Sequence, residues 1–479
     1  MKYLNKLLLV SVLSIFMVLG CSDYLDINDD PNNPTSAPIE GLMTNTTFQT
    51  AQNTNRVAST TSFFVQHFAS PNEDSSTDTH ESVSYGNTWA NLYFNIGDLL
   101  VLIDQANDLG APHYSGTAKV MVAYNLGLLV NMFGDVPFSE GFSDDILQPS
   151  YDNSADIYDQ IENYLDQAKA ELQAPESAAS PGNDDFIYGG DLVAWTRTAY
   201  ALEARYLNHY SKLGEYDRAA VLSAVENSFS SSDEDFQMSY FDEGTSTENP
   251  WYRTALNNSN LLLGGWLSDQ FVDQLNGETY GLVDPRIEFI TEPAITEEFE
   301  GEYIGTRNGA GRGAAPEQGE RAVLAVGSFY ASGPTAPLLM ATYAEMKFIE
   351  AEAALTVNAT RAYQAYENGI RAHMEKLGVE QQDIEDYWNE PSVSVGSANL
   401  TIDEIMKEKY VAMFLNPEAW NDARRYDYAY TGFQIPANHN PDLNGQMIRL
   451  VAYPDSEDQR NQANVPDRTM LDRVFWDQN

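Results

Sequence analysis

Eight stretches of the chain repeat their apolar residues every three or four positions: 92–109, 117–133, 154–172, 191–212, 217–228, 337–356, 359–377 and 401–416. That spacing lines one face of a helix with apolar side chains, and such a face has to be buried against another element. The pattern confines the chain to a mainly α fold. The clearest start signal is at Thr401, where Thr401 and Glu404 have capping-box spacing ahead of Ile402, Ile405, Met406, Met413 and Phe414. There the threonine accepts an amide of the first turn and the glutamate reaches back to the cap amide.

Several of these helices come in pairs that resemble tetratricopeptide repeats, whose period is about 34 residues. Ser211-Lys-Leu-Gly-Glu-Tyr-Asp-Arg-Ala219 has the glycine, tyrosine and alanine spacing of an inter-helix turn. Tyr124-Asn125-Leu126-Gly127 matches the packing stretch of a first helix, and Ala362, Tyr366 and Gly369 match that of a second. Small residues let one helix approach another, and the aromatic fills the gap beside it. Two long irregular stretches interrupt the pairs. Residues 229–336 are rich in Gly, Pro, Asn, Ser and aromatics, and a loop region that long is usually functional. Residues 430–479 are polar and broken by prolines, and they end in Val474-Phe475-Trp476, which is expected to dock on the helical body. No clean linker follows residue 40, so one large domain with insertions is expected.

The N-terminus is of another kind. Lys2 and Lys6 precede an almost wholly apolar Leu7–Leu19, and Val18-Leu19-Gly20-Cys21 closes the segment. This reads as a signal peptide over 1–20, too short and wrongly flanked for a spanning helix. Cys21 is the only cysteine in the chain, and in that place it reads as the acylated first residue of a lipoprotein. Fatty acids such as palmitate each add about 0.8 kcal/mol per buried methylene, so several chains anchor a protein firmly. The other reading is a buried cysteine after an N-terminal core helix. Residues 21–38, rich in Pro, Asn and Asp, form an acidic tether ahead of a domain over 39–479. Asp26, Asn28 and Asp30 open like a calcium loop, but Pro31 and Ala37 stand where an EF-hand needs Gly and Glu.

The net charge is −45, and cleavage after residue 20 removes Lys2 and Lys6 and no acid, leaving −47. Nucleic acid and anionic membranes are repelled by such a surface, so the only membrane contact expected is through the lipid. With 43% hydrophobic and 12% aromatic residues the chain has ample material for a core, which excludes disorder. Its one cysteine is taken by the anchor, so no disulfide supports the fold.

Acids and aromatics are also what a glycosidase uses, with two carboxyl groups about 5–9.5 Å apart. Glu345 and Glu352 share a helix face while Glu350 falls to the side. One solvated and one packing-edge acid are expected there. All six histidines are isolated and none has metal-ligand spacing. Gly-x-Ser-x-Gly is absent. Gly305, Gly309, Gly311 and Gly313 form a Gly-rich loop without the Lys-Ser/Thr of a phosphate site, which reads as a mobile loop carrying two arginines. No catalytic constellation and no cofactor are read. Arg424 and Arg425 are expected to be buried against carboxylates such as Asp422 or Asp427. Trp195, Trp266, Trp420 and Trp476 are expected in the core.

Loop aromatics are different, because an exposed ring covers the apolar face of a sugar while Asn, Asp and Arg bond its hydroxyls. Two clusters qualify. Tyr85 and Trp89 lead into the 92–109 helix, near Asp78, His80 and Asn87. Trp251, Tyr252, Trp266, Tyr280, Tyr303, Arg307, Arg312 and Tyr330 are spread over 251–330. The candidate ligand residues are Tyr85, Trp89, Tyr303, Arg307 and Tyr330, on ligand-face loops around 67–91 and 229–336.

A series of motifs then points to a family. It begins with Tyr24-Leu-Asp-Ile-Asn-Asp-Asp-Pro-Asn-Asn-Pro-Thr35 after Cys21, and continues with Asn131-Met-Phe-Gly-Asp-Val-Pro-Phe-Ser-Glu140. Asp185-Phe-Ile-Tyr-Gly-Gly-Asp191 with Trp195, Asp284-Pro285-Arg286 and Tyr343-Ala-Glu-Met-Lys-Phe-Ile-Glu-Ala-Glu-Ala353 follow. Asn416-Pro-Glu-Ala-Trp-Asn-Asp-Ala-Arg-Arg425 and Arg449-Leu-Val-Ala-Tyr-Pro-Asp-Ser-Glu457 complete it. In order and spacing these resemble the SusD/RagB outer-membrane nutrient-binding lipoproteins of Bacteroidetes, in the branch called SusD-like 2. The resemblance implies about four tetratricopeptide-like helix pairs. It also implies a lid on a SusC-like TonB-dependent outer-membrane transporter that captures oligomers outside the cell. Ser22-Asp23 is similar to the family's signal for display on the outer face. An oligosaccharide is the favoured ligand and a peptide the alternative. An all-helical polysaccharide-degrading enzyme and a purely structural lid are the remaining readings.

Overall fold

The computed structural model describes residues 37–143, 145–261, 264–312 and 320–478. Cys21, the signal segment and the tether up to residue 36 lie outside the described residues.

The first six helices are α1 (Ile39–Phe64), α2 (Gly86–Leu109), α3 (Pro112–Phe133), α4 (Ser154–Leu172), α5 (Leu192–His209) and α6 (Arg218–Asn227). Two short ones, α7 (Pro250–Leu261) and α8 (Asp269–Leu275), lie in the irregular middle of the chain. Then come α9 (Tyr343–Ala354), α10 (Ala359–Leu377), α11 (Gln381–Trp388), α12 (Ile402–Ala412), α13 (Glu418–Arg425) and α14 (Asp455–Arg460). Four short strands, β1 (Phe68–Ala69), β2 (Phe236–Ser239), β3 (Trp266–Leu267) and β4 (Pro337–Ala341), form two antiparallel pairs, β1 with β3 and β2 with β4.

Each helix from α1 to α6 packs on the next; α9 packs on α6 and α10, α12 on both α9 and α10, and α13 returns from α12 to α1. The domain is therefore a helical array that α13 closes back onto α1. The starts are chemically marked. Asn153, Asp191 and Asp217 cap α4, α5 and α6 through their side chains, and the capping box at Thr401 is formed. Helix–helix approach depends on the small residues. A Cβ on Gly127 would lie 2.1 Å from the Tyr206 hydroxyl, and one on Gly369 would lie 3.0 Å from the Phe348 ring.

Two elements differ from the periodic pattern. Residues 337–341 were expected to be helical but form β4 against β2, and α9 starts only at Tyr343, where the Thr342 side chain accepts the Glu345 amide. Pro337 stands at the strand's end, where its missing amide costs least. The 26-residue α1 has no strong apolar face. Its buried threonines bond back into the helix, as from Thr46 to the Leu42 carbonyl (2.8 Å) and from Thr54 to that of Thr50 (3.0 Å). Asn53 donates to the Asn125 side chain of α3 at 2.9 Å.

The core also holds ion pairs. Glu345 is fully buried and receives two 2.6 Å hydrogen bonds from Arg205. Glu352, 8% exposed, accepts from Arg425 (2.6 Å), Asn208 (2.8 Å) and the Tyr426 hydroxyl (2.5 Å). Neither is a solvated or packing-edge acid as expected, because each faces a buried arginine across a helix pair. Arg425 also bonds Asp422 at 2.6 Å, whereas Asp427 pairs with Arg449. The C-terminus docks on the body: Trp476 donates to Asn131 at 3.2 Å, and Phe475 packs on Tyr158 and Tyr210.

Candidate ligand face

β3 is the support of this face. It pairs with β1, and the chain at 305–306 and 322–324 runs along it: Thr306 donates to the Leu267 carbonyl (2.9 Å), and Leu267 donates to that of Ala322 (3.0 Å). The approach is close, since a Cβ on Gly305 would sit 2.3 Å from the Asp269 Cα. The loops flanking β1 and β3 are then locked together by Asp78. Its buried carboxylate accepts from the Ser70 amide (3.0 Å), the Gly309 amide (2.7 Å) and the Asn308 side chain (2.5 Å). Burial pushes its pKa up to about 6 against those three hydrogen bonds. A third segment clasps the joint from outside. Ala437 donates to the Asn308 carbonyl, Asn438 to that of Gly309 and the Asn440 amide to that of Thr79. Gly309, at φ +73°, has no room for a side chain, because a Cβ would fall 1.8 Å from the Ala437 oxygen. The described part of the Gly-rich segment is thus pinned, where the sequence led us to expect a mobile loop.

Beside this joint opens a cavity of about 550 Å³ whose lining includes Asp269, Asp273, Asn276, Tyr303, Arg307 and Arg321. Arg307 is held by the Ile435 carbonyl (2.6 Å), and its buried Nη1 has no partner. Arg321 donates to the carbonyls of Gly305 (2.9 Å) and Arg312 (3.2 Å), and its Nε is also unmatched. Burial raises the pKa of Asp269, opposed by the Gln270 amide and by the two arginines. Tyr303 is half-buried at the cavity wall, and its carbonyl fixes Asn276 at 3.0 Å. An aromatic ring, two arginines and several carboxylates therefore line one opening, the equipment for a polar, hydroxyl-bearing ligand.

Of the five candidate ligand residues, Tyr303 and Arg307 meet in this cavity. Tyr85 is half-buried just ahead of α2, with its hydroxyl 3.2 Å from that of Thr77, and does not line it. Trp89 is not a loop residue. The helix begins at Gly86, six residues earlier than the apolar period shows, and puts Trp89 on its inward face. There it is 7% exposed, against Tyr93, Phe133 and Tyr453. Tyr330 is 2% exposed, packed on Phe414 and 3.2 Å from His373 Nε2. Trp251 and Trp266 are buried too, while the Tyr280 ring lies under Lys407 at 3.9 Å. The residues not foreseen are Asp269, Asp273, Asn276 and Arg321. The first two sit on α8, whose seven residues are too short for a helical period to register.

Among the described residues no cluster of three or more His, Cys, Asp or Glu could hold a metal ion, and no helix is long and apolar enough to cross a membrane. Fold and face together define a helical-repeat scaffold that presents a polar, aromatic-edged cavity on irregular loops. The chain belongs to the SusD-like 2 family, described as starch-binding and associating with the outer membrane, whose pattern matches residues 31–454. Solved structures agree at the level of the fold. A SusD/RagB family protein from Bacteroides thetaiotaomicron is 24% identical with a TM-score of 0.74, over 92% of this chain and 99% of that one. A chitin-binding SusD homologue from Flavobacterium johnsoniae is 20% identical at 0.75, over 92% and 99%. A further chitin-binding protein is 23% identical at 0.75, over 92% and 100%. No curated protein matches the sequence.

Proposed function

We propose that this protein is a surface-exposed outer-membrane lipoprotein, anchored through Cys21, that binds oligosaccharide nutrients and hands them to a SusC-like TonB-dependent transporter. The observation that supports the binding role is the cavity at Tyr303, which Arg307 and Arg321 line together with Asp269 and Asp273. A sugar ring covers Tyr303 while its hydroxyls accept from the arginines and donate to the carboxylates. The two structural neighbours named as chitin-binding, and the family's starch-binding description, favour a glycan over a peptide.

The role proposed is binding without turnover; Glu345 and Glu352, the paired acids of the sequence, are both engaged by buried arginines. Electrophoresis through gels containing starch or soluble chitin tests this. Retardation by one polysaccharide, with no reducing ends released on long incubation, is the expected result. The Glu345→Gln protein is expected to be retarded equally but to be less stable by about 3–5 kcal/mol, because Arg205 is left buried without its partner. Reducing ends that vanish in that variant would instead make the protein a hydrolase. Retardation by neither polysaccharide, with capture of peptides, would make it a peptide binder.

A further inference from the structure

A second opening, of about 670 Å³, lies among residues of the C-terminal irregular stretch, with Ser82 at its edge. Its floor is built and stiff. Arg468 donates to the carbonyls of Phe133 (2.7 Å) and Val451 (2.9 Å) and lies 3.9 Å from the centre of the Tyr453 ring. Tyr453 in turn donates to the Asp135 carbonyl at 2.6 Å, and Met470 and Leu471 complete the apolar part. The rim is the opposite. Asp458, Gln462 and Asp467 are exposed, and their side chains make no hydrogen bond or ion pair among the described residues. A preorganised apolar floor under free polar groups, in a volume of a few hundred Å³, has the make-up of a small-ligand site.

The charge of the lining narrows the ligand. Asp442, Asp458 and Asp467 face a single base, Arg468, which is already tied to main-chain oxygens. Uronic or sulfated sugars are repelled there, and neutral hydroxyl-rich ones are not.

One short segment links the two cavities. The segment that clasps the Asp78 joint holds Arg307 and Gly309 through Ile435 and Asn438, and Asp442, four residues beyond Asn438, lines the second cavity. Four residues span at most about 14 Å. A chain of several sugars can reach across that distance, and a disaccharide filling one cavity does not.

We propose that the cleft at Tyr453 and Arg468 is a second subsite for one neutral oligosaccharide that also occupies the Tyr303 cavity, so that the protein selects for chain length. This rests on the glycan-binding reading above. Joining two subsites through one ligand multiplies affinity without any new contact.

Calorimetry with matched ladders of chito- and malto-oligosaccharides, two to seven units long, tests it on the mature protein and on an Asp458→Ala/Gln462→Ala/Asp467→Ala variant. All three side chains are exposed, so an unchanged melting temperature shows that the variant is folded. In one ladder the six-unit ligand is expected to bind at least about tenfold tighter than the two-unit ligand. The triple variant is expected to lose that gain. A six-unit affinity that ignores the triple variant yet collapses in Tyr303→Ala would confine the ligand to the first cavity and overturn the second subsite. Binding by neither ladder at any length would remove the glycan reading itself, and this proposal with it.

Discussion

Arg424 keeps its guanidinium inside the core with no carboxylate in ion-pair contact among the described residues. It lies over the Trp420 ring at 3.7 Å and near that of Trp476 at 4.9 Å, and donates to the carbonyls of Asn131 and Arg449. Cation–π contact and main-chain oxygens replace the ion pair, although burial still pulls its pKa down to about 10. The buried His67, His80 and His373 solve the same problem another way, since burial pulls the pKa of each down. His67, packed among Phe271, Tyr410 and Phe414, has a pKa pushed down to about 3 by burial. Between that value and the ordinary 6.5 the unfolded chain binds a proton that the folded chain refuses. Its stabilisation is therefore complete above pH 6.5 and is lost as pH falls below it. Urea unfolding of wild type and His67→Phe isolates the effect. The stability difference is expected to move in favour of the phenylalanine variant by about 1.4 kcal/mol per pH unit between pH 6.5 and 4.5. A difference that is flat with pH would mean that His67 is charged or solvated in the fold.

At the level of elements, the array depends on a few positions where two helices nearly touch. Gly127 of α3 faces Tyr206 of α5 with no room for a methyl group. Gly127→Ala is expected to cost about 1–3 kcal/mol through overpacking, read as a lower midpoint in denaturant. An unchanged midpoint would show that Tyr206 moves aside freely. Positions of this kind were legible in the sequence because a glycine beside aromatics on a helical period has few other uses. Helices with alternating faces were legible for the same reason, and α4 and α10 keep their expected bounds, 154–172 and 359–377. What escaped was burial by other means. α1 hides threonines and asparagines that satisfy one another, so its sequence looks like a polar surface. α13 buries Glu418, Asp422, Arg424 and Arg425, which no apolar period can reveal. At the candidate ligand face, Tyr303 and Arg307 stand in an irregular, aromatic stretch, and both line the cavity. Trp89 and Tyr330 carry the same local signal but point inward, and only tertiary packing separates the two cases. Arg321 and the α8 acids carry no sequence signal, since hydrogen bonds across β3 bring them to the cavity.

The whole molecule combines a strongly negative composition with a single cysteine, Cys21. No described helix is long and apolar enough to cross a bilayer, and the proposed anchor stands or falls on Cys21. In the native host, Cys21→Ser is expected to leave the membrane fraction and lose fatty-acid labelling; retention through high-salt washing would end the lipoprotein reading. The central claim is that the ligand is held at the cavity beside β3 and not by the buried aromatics of the helical array. The direct measurement is calorimetric affinity of Tyr303→Ala and Trp89→Ala for an oligosaccharide of the retarding polymer, beside thermal melting of both. Tyr303→Ala is expected to weaken binding by about 1–2 kcal/mol, the apolar area of one ring face, or about five- to thirtyfold, with melting unchanged. Trp89→Ala is expected to lose about 3–5 kcal/mol of stability as a truncated core tryptophan and to keep its affinity while folded. Normal binding by Tyr303→Ala together with loss of binding by folded Trp89→Ala would contradict the claim.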